Sequence, residues 1–215
     1  TVVVPNPDLK PEKSLNYEAG SSFKADGVFG SDDHLFAKAV FFYDDVKDFI
    51  APKAWLEPTT PPTLYYSSQN VGHVVRKGIE LSGTYAAGQF STSVSYGLLH
   101  AVDKETNERM NGITPQSANL KLAYAFPAQA INVWYRAHWS KGGESSVEDR
   151  ATGKKLHFSS FLTHSLGAEW SPKVADLANL QAGIAVVNLF DKEYRMLNGS
   201  YGSGRGVRLW LSAQF

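Results

Sequence analysis

Residues 131–140 have the sequence Ile-Asn-Val-Trp-Tyr-Arg-Ala-His-Trp-Ser, in which apolar and polar side chains largely alternate. One parity contains Ile131, Val133, Tyr135 and Trp139, and the other contains Asn132, Arg136, His138 and Ser140. A repeat of two residues is typical of a β-strand with one apolar and one polar face, whereas an amphipathic helix repeats near 3.6. The stretch therefore predicts a strand that separates an apolar medium from water.

The same alternation recurs along the chain and ends at its last residue. Further alternating segments lie near 15–24, 35–43, 76–85, 89–98, 119–126, 162–170, 180–186 and 207–215. We count about nine strands, many of roughly ten residues, whereas strands of globular proteins commonly have about five or six. In the last one, Val207, Leu209, Leu211, Ala213 and Phe215 oppose Arg208, Ser212 and Gln214. This register predicts that the odd positions face lipid and the even ones face a lumen.

The predicted connections alternate between short and long. Short turns fall near 27–33, 86–88, 126–128 and 171–173, and long loops near 51–69, 104–114, 142–156 and 190–204. Short turns at one rim and long loops at the other are typical of all-β transmembrane antiparallel barrels. A soluble β-barrel, a β-sandwich or an adhesin fragment also alternates, and these remain the alternative.

Composition limits the class of partner. The chain has 215 residues, 21 basic and 21 acidic side chains, no cysteine and 13% aromatic residues. A net charge of zero provides no field that would attract nucleic acid, so we expect no nucleic-acid partner. Without cysteine, disulfide scaffolds and thiolate metal sites are excluded.

Four segments resemble the TonB-dependent outer-membrane transporters. They are Asn6-Pro7-Asp8-Leu9-Lys10-Pro11-Glu12 followed by Tyr17-Glu18-Ala19-Gly20, then Asn70-Val71-Gly72 with Arg76, Gly78 and Glu80, then Val187-Asn188-Leu189-Phe190-Asp191-Lys192-Glu193-Tyr194-Arg195, and finally Gly204 through Phe215. They occur in the family's order and span essentially the whole chain.

The resemblance implies a multi-pass protein of the bacterial outer membrane. Family barrels have about 22 strands and a plugged lumen, so residues 1–215 would be the C-terminal part, with the plug domain and earlier strands absent. It also implies three partners: a TonB-type energy-coupling protein acting through the missing plug, lipid or lipopolysaccharide around the barrel, and the barrel-assembly machinery, which would recognise Phe215. The implied function is transport rather than catalysis, and no persuasive nucleophile, base and acid share one face.

The resemblance is haem-receptor-like in particular. Haem and haemoglobin receptors of the family have an Asn-Pro-Asn-Leu box where this chain has Asn6-Pro7-Asp8-Leu9. That one-residue departure is also common in siderophore receptors. We therefore expect a receptor for haem, with a ferric siderophore or another metal chelate as the alternative, and no intrinsic cofactor. Any metal site is unknown at this stage.

Five residues are candidate ligand contacts. Strand parity places His138 and His157 inward near the extracellular end, with Arg136 below His138. Imidazole can bind iron and guanidinium can pair with a carboxylate. Tyr65 and Tyr66, after the proline cluster, could stack on a planar ligand. The alternatives are polar lumen filling for the first three residues and interfacial aromatics for the tyrosines.

Overall fold

The fold is almost entirely β in a computed structural model that describes residues 2–57, 60, 63–70, 72–148, 154–173, 179–197 and 199–214. In chain order the strands are β1 (Val2–Val3), β2 (Lys13–Asp26), β3 (Asp33–Lys47), β4 (Ile50–Glu57), β5 (Thr63–Asn70), β6 (His73–Ala87), β7 (Phe90–Asp103), β8 (Gln116–Phe126), β9 (Ile131–Ser140), β10 (Gly143–Glu148), β11 (Lys155–Phe158), β12 (Phe161–Trp170), β13 (Asn179–Val187) and β14 (Gly206–Gln214). A single 3-10 turn, Pro127–Gln129, joins β8 to β9 in the described part. No described helix is long and apolar enough to cross a bilayer.

Nine of the strands form one sheet in the order β14-β13-β12-β9-β8-β7-β6-β3-β2. Each strand of this sheet neighbours the previous sheet strand in the chain, and the pairs from β7 to β14 are antiparallel. The sheet confirms the predicted meander of about nine long antiparallel strands. Its connections also alternate in length as predicted, with the two-residue turn at Gly88–Gln89 on the short side.

The long connections contain strands that the alternation did not reveal. Within 51–69, β4 and β5 form an antiparallel hairpin, and β1 pairs with β5 in parallel. Within 142–156, β10 begins a second hairpin with β11, and the register between these two strands shifts. Pro52 in β4 has no backbone N–H to donate, and the register of β10–β11 is irregular. For these reasons neither loop sequence has a clear repeat of two residues.

The chain divides into two compact units, which we call the N-terminal unit and the main unit. The N-terminal unit comprises Thr1–Ala19, Phe42–Gly78 and His100–Met110, and the main unit comprises Gly20–Phe41, Ile79–Leu99 and Asn111–Phe215.

In the N-terminal unit, the side chain of Asn70 ties the proline-rich segment to the loops. Its Nδ2 donates to the carbonyl of Lys10 at 2.9 Å and to that of Asp48 at 2.6 Å, and its Oδ1 accepts from Lys10 N at 2.8 Å. Glu12 accepts the backbone N–H of Ile50 at 2.6 Å. Backbone groups in the proline-rich segment and in the turns have no partners in a strand ladder. The side chains of Asn70 and Glu12 form the hydrogen bonds that these groups need.

The same unit contains a buried carboxylate with its compensating donors. Asp44 is 5% exposed, and its carboxylate accepts from the hydroxyl of Ser14 and from Nε of Arg76, the latter at 2.9 Å. These residues lie on the neighbouring strands β2, β3 and β6. A buried carboxylate is tolerated when charge-assisted hydrogen bonds replace its hydration.

In the main unit, the two faces of β14 differ as the alternation predicts. Val207, Leu209 and Leu211 are between 64% and 76% exposed, whereas Trp210, on the opposite face, packs against the cluster of Ala123, Trp134 and Ala185. Gly183 lies beneath the Trp210 ring, since a Cβ there would be 2.0 Å from a ring carbon. The face predicted to be polar therefore also has an aromatic cluster that a simple alternation does not show. Phe215 lies outside the described residues.

The division of faces can be tested with single cysteines, because the chain has no native cysteine. We expect a membrane-impermeant maleimide to label Ser212→Cys from the aqueous lumen and not to label Leu211→Cys, which faces lipid. Arg208→Cys and Leu209→Cys, also on opposite faces, form a matched second pair. The measurement is gel-shift labelling of the complete protein in intact membranes, and equal labelling within either pair would contradict the assignment.

Candidate functional site

The loop after β13 is organised by Asn188. This buried side chain donates to the carbonyls of Lys192 and Ser203, at 2.9 and 3.0 Å, and accepts from Lys192 N at 2.9 Å. Its φ is +47°, a left-handed conformation that asparagine adopts more readily than most residues. One side chain therefore holds together the start and the end of the loop 190–204.

Asp191 and Tyr194 continue this organisation. Asp191 also has a positive φ, of +52°, and its carboxylate accepts from Arg205 N at 2.7 Å. The ring of Tyr194 covers Gly202, where a Cβ would lie 2.1 Å from a ring carbon, and Gly202 N donates to Tyr194 O at 2.9 Å. The loop thus folds back on itself as a small hairpin with an aromatic ring packed over glycine.

A hydrogen bond joins this hairpin to the preceding long loop. The hydroxyl of Ser145, in β10, is fully buried and donates to the carbonyl of Leu197 at 2.6 Å. Leu197 is also buried, at 6% exposure. Because Ser145 and Leu197 are 52 residues apart in sequence, only the folded chain brings the two loops together.

A cavity of about 690 Å³ lies between the loop 190–204 and the segment that joins β11 to β12. Its lining comes from two stretches, 157–161 and 191–204, and includes His157, Phe158, Phe161, Asp191, Lys192, Glu193, Tyr194, Arg195 and Tyr201. Small-molecule sites commonly have volumes of about 300–1,000 Å³ and combine aromatic walls with a few polar groups. The size and lining of this cavity suit a small organic ligand.

Aromatic rings position the guanidinium of Arg195 in this cavity. It lies 3.9 Å from the centroid of the Tyr201 ring and 5.7 Å from that of Phe158, and it also hydrogen-bonds to the Tyr201 hydroxyl. A guanidinium group that stacks on an aromatic ring can still bind a carboxylate, because its N–H groups point outward in the guanidinium plane. Arg195 is therefore a preorganised cation at the cavity wall, while Asp191 and Glu193 balance the local charge.

The structure places one predicted histidine in the cavity and the other behind its wall. His157 lines the cavity directly. His138 lies behind Phe161, with the ring centroids 5.9 Å apart, and Phe161 in turn stacks on Tyr194 at 4.1 Å. The cavity wall thus continues through Phe161 to His138.

His138 also belongs to a polar row on the inner face. Its Nδ1 contacts Asn119 Oδ1 at 2.8 Å, and Asn119 Nδ2 donates to the hydroxyl of Ser95 at 3.2 Å. These three residues lie on β9, β8 and β7. The structure therefore also accommodates His138 as a polar lumen residue, which was the alternative explanation.

Arg136 does not line the cavity. It lies two residues from His138 on the same face of β9, and its guanidinium is 5.3 Å from the centroid of the Trp134 ring. The indole Nε1 of Trp134 is buried and has no hydrogen-bond partner among the described residues. The location of Arg136 therefore fits the inner wall better than a direct contact in this cavity.

The predicted tyrosines belong to the N-terminal unit. Tyr65 is half-buried in β5, opposite Trp55 of β4 and Val2 of β1. Tyr66 is its neighbour in the strand, opposite Ala54, and its side chain lies outside the described part. Both tyrosines are thus strand residues of a loop hairpin rather than residues of an irregular loop.

Sequence reasoning missed Arg195, Tyr194 and Tyr201. Tyr194 and Arg195 end the segment Val187–Arg195 and Tyr201 follows it, but none of the three was among the five predicted ligand contacts. A usable signal was present, because 190–204 contains two tyrosines and one arginine within eight residues, from Tyr194 to Tyr201. No three His, Asp or Glu side chains converge on a metal-sized site in the described part of the chain.

Comparisons with known proteins agree with this architecture. Residues 1–189 match the family model of the TonB-dependent receptor-like β-barrel. The haem/hemopexin utilization protein C of Haemophilus influenzae (strain 86-028NP) is 26% identical over 210 residues, which cover 96% of this chain and 29% of that protein. The hemin receptor of Yersinia pestis is 22% identical over 213 residues, covering 99% and 30%.

A transporter of a different ligand is also similar. The vitamin B12 transporter BtuB of Photobacterium profundum is 29% identical over 190 residues, covering 88% of this chain and 28% of that protein. Among solved structures, the copper transporter OprC superimposes with a TM-score of 0.72 at 19% identity, over 95% of this chain and 31% of that one. This chain therefore spans less than a third of the length of the relatives that it matches.

The sheet, its two faces and its alternating loops define the class as a transmembrane antiparallel β-barrel of the outer-membrane type. The chain belongs to the TonB-dependent receptor β-barrel family. It is accordingly a protein of the bacterial outer membrane.

The Asn188 loop closure can be tested by Asn188→Ala. The substitution removes the three hydrogen bonds that the Asn188 side chain makes to the backbone of Lys192 and Ser203, which together contribute about 2 kcal/mol. We expect proteolysis within 190–204 of the complete receptor to accelerate roughly thirtyfold, the factor that corresponds to this energy. Asn119→Ala, which removes another inner-face asparagine, is the control and should leave the loop protected. Equal cleavage of wild type and Asn188→Ala would contradict the proposed closure.

Proposed function

We propose that this chain contributes the wall and part of the extracellular mouth of a receptor that imports an iron chelate. The barrel is the passage, and energy comes from a TonB-type protein through a plug that other residues of the receptor provide. Residues 1–215 are, in this proposal, the C-terminal part of the barrel. Family membership supports transport over a structural β-domain or an adhesin fragment, and we expect no catalytic activity and no nucleic-acid partner.

Haem is the chelate that we propose. The names of two relatives, the haem/hemopexin utilization protein C and the hemin receptor, support this choice. The observation that carries it is the cavity in which Arg195, His157 and several aromatic rings converge. Haem presents a planar apolar face, anionic carboxylates and an iron atom, and each has a suitable partner in that cavity.

Each group of the cavity has a distinct role in the proposal. Arg195, held by Tyr201, would pair with a haem propionate through two parallel N–H bonds. Phe158 and Tyr194 would contact the macrocycle, as aromatic faces do with planar ligands. His157 would offer a ring nitrogen to the iron. Haem here is cargo, and no intrinsic cofactor is needed.

His138 and Arg136 would act further along the path. His138 Nδ1 contacts Asn119. This contact orients the ring, and Nε2 is then the nitrogen that would bind a transient ligand. Arg136 on the same face would attract the anionic cargo after it leaves the mouth. Tyr65 and Tyr66 would contribute to the surface of their own loop hairpin.

A ferric siderophore is the second candidate. The similarity to a vitamin B12 transporter shows that relatives of this chain differ in their ligands. A siderophore would use Arg195 and the aromatic rings in the same manner but would not need His157 as an iron ligand. The histidine is therefore the residue that separates the two proposals.

Haem titration of the complete receptor tests the role of the cavity. We expect His157→Ala to change the Soret band and Arg195→Gln to weaken haem binding about tenfold, which corresponds to ~1.4 kcal/mol. His138→Ala should slow uptake more than it weakens binding. Arg208→Gln, an inner-face arginine of β14, is the matched control and should bind haem normally.

The contrary outcome is equally specific. Unchanged spectra and affinity in His157→Ala, His138→Ala and Arg195→Gln would exclude the haem site. Ferric siderophore binding that is lost in Arg195→Gln but retained in His157→Ala would then support the second candidate.

The barrel-assembly machinery is a further proposed partner, through Phe215. Its support is the sequence alone: Phe215 has the parity of Val207, Leu209 and Leu211, whose side chains are exposed on the outward face.

A further inference from the structure

Three basic side chains meet on the outward face of β6 and β7 in the N-terminal unit. Along β7, His100 has the parity of the apolar residues Phe90, Val94 and Leu98, and this is the outward face. Along β6, Lys77 has the parity of His73 and is opposite to Arg76, which faces inward to Asp44. These residues, together with Arg109, lie within Phe42–Gly78 and His100–Met110 of that unit.

The turn after β7 delivers Arg109 to this face. Asp103 caps the turn by accepting from Glu105 N at 2.8 Å, and Arg109 then pairs with Val102 in an antiparallel bridge. From there the guanidinium reaches His100 Nδ1 at 2.9 Å. Because a guanidinium only donates, Nδ1 accepts and the ring proton lies on Nε2.

Lys77 completes the group. The strands β6 and β7 are joined by two residues, Gly88 and Gln89, so Lys77 and His100 are opposite each other in the ladder. The two side chains also interact electrostatically. Lys77 and Arg109 are both exposed, so together with the imidazole they present N–H donors on one outward surface, which we call the basic patch.

No acidic side chain neutralises the basic patch through a salt bridge among the described residues. The nearby outward carboxylate, Asp45, is paired with His73 Nε2 at 2.8 Å. In the turn itself, the carboxyl of Glu105 lies over Gly72. Two uncompensated cations on a lipid-facing surface are costly unless an anion from the surroundings binds there.

The aromatic residues of the same unit locate this patch at the membrane surface. Tyr17 and Tyr43 are exposed on the outward face, with ring centroids 6.5 Å apart. Asp45 and His73 are hydrogen-bonded to each other near the loop ends of β3 and β6. Tyr43 is two residues further from the loop than Asp45 on β3, and Lys77 is four residues further from the loop than His73 on β6. Exposed tyrosines form the aromatic girdle at the level of lipid head groups, and lysine can extend its ammonium towards that level.

We propose that Lys77, His100 and Arg109 bind a phosphate group of lipopolysaccharide in the outer leaflet. The patch lies at the end of the strands that leads into the long loops, which is the extracellular end of an outer-membrane barrel. Phosphorylated glycolipid is the anionic lipid of that leaflet. Arginine and lysine together match its oxygens, and the Nε2–H of His100 adds a third donor.

Binding of defined lipids to the complete receptor in detergent tests the proposal. The probes are diphosphorylated lipid A, lipid A lacking both phosphates, and inorganic phosphate. Lys77→Gln and Arg109→Gln should each weaken binding of the phosphorylated lipid about fivefold, the contribution of one basic residue at an anionic lipid surface. The double variant should bind the phosphorylated lipid more weakly than either single variant, although the two effects do not simply multiply because both cations interact with His100 and one phosphate. Dephosphorylated lipid A should bind equally to all variants.

Two controls separate this effect from loss of structure. Lys77→Arg keeps the charge and should retain binding, and Arg208→Gln removes an inner-face cation and should have no effect. Equal affinity for both forms of lipid A, or unchanged affinity in the double variant, would overturn the proposal. Saturation by inorganic phosphate with no preference for lipid A would show a free-anion site and would overturn the lipid assignment.

Discussion

The structure depends on one constraint: within hydrocarbon, every backbone N–H and C=O must find a partner in the protein, because each unpaired group costs several kcal/mol. The nine-stranded sheet satisfies this along its interior ladders. Its two ends, β2 and β14, still present one row of backbone groups each. Backbone groups at these two edges need further strand partners wherever they lie in hydrocarbon, which supports the proposal that this sheet is a section of a larger barrel.

Once the ladder spans the membrane, the pleat assigns each side chain to lipid or to lumen. The inner face collects polar groups in contact with one another, such as Ser14 with Asp44 and Asn119 with His138. On the outward parity, His164 contacts the Tyr135 hydroxyl at 2.5 Å and packs against Phe190. Imidazoles on that parity thus have polar partners, Asp45 for His73 and the Tyr135 hydroxyl for His164, which reduces the cost of placing them on the outward face.

The long loops are as organised as the sheet, and asparagine is the reason in both units. Asn70 and Asn188 each bond to backbone groups from two separate segments. A side-chain amide both donates and accepts, so it can replace ladder bonds where proline or a left-handed residue ends a strand. The family's sequence boxes therefore preserve loop closure, and closure in turn forms the cavity around Arg195.

The sequence by itself determined the strands, their faces and the sides of the turns, because an alternation of two residues is a local property of the pleat. It also predicted that His138 and His157 face inward near one end, and the structure places His157 in the β10–β11 hairpin rather than in the nine-stranded sheet. It did not reveal the loop hairpins or the roles of Trp210, Tyr194 and Arg195. Those depend on contacts between distant segments, such as Ser145 with Leu197 and Arg195 with Phe158. Only the tertiary structure decides such contacts, because loop closure sets which side chains share a cavity, and no local period encodes it.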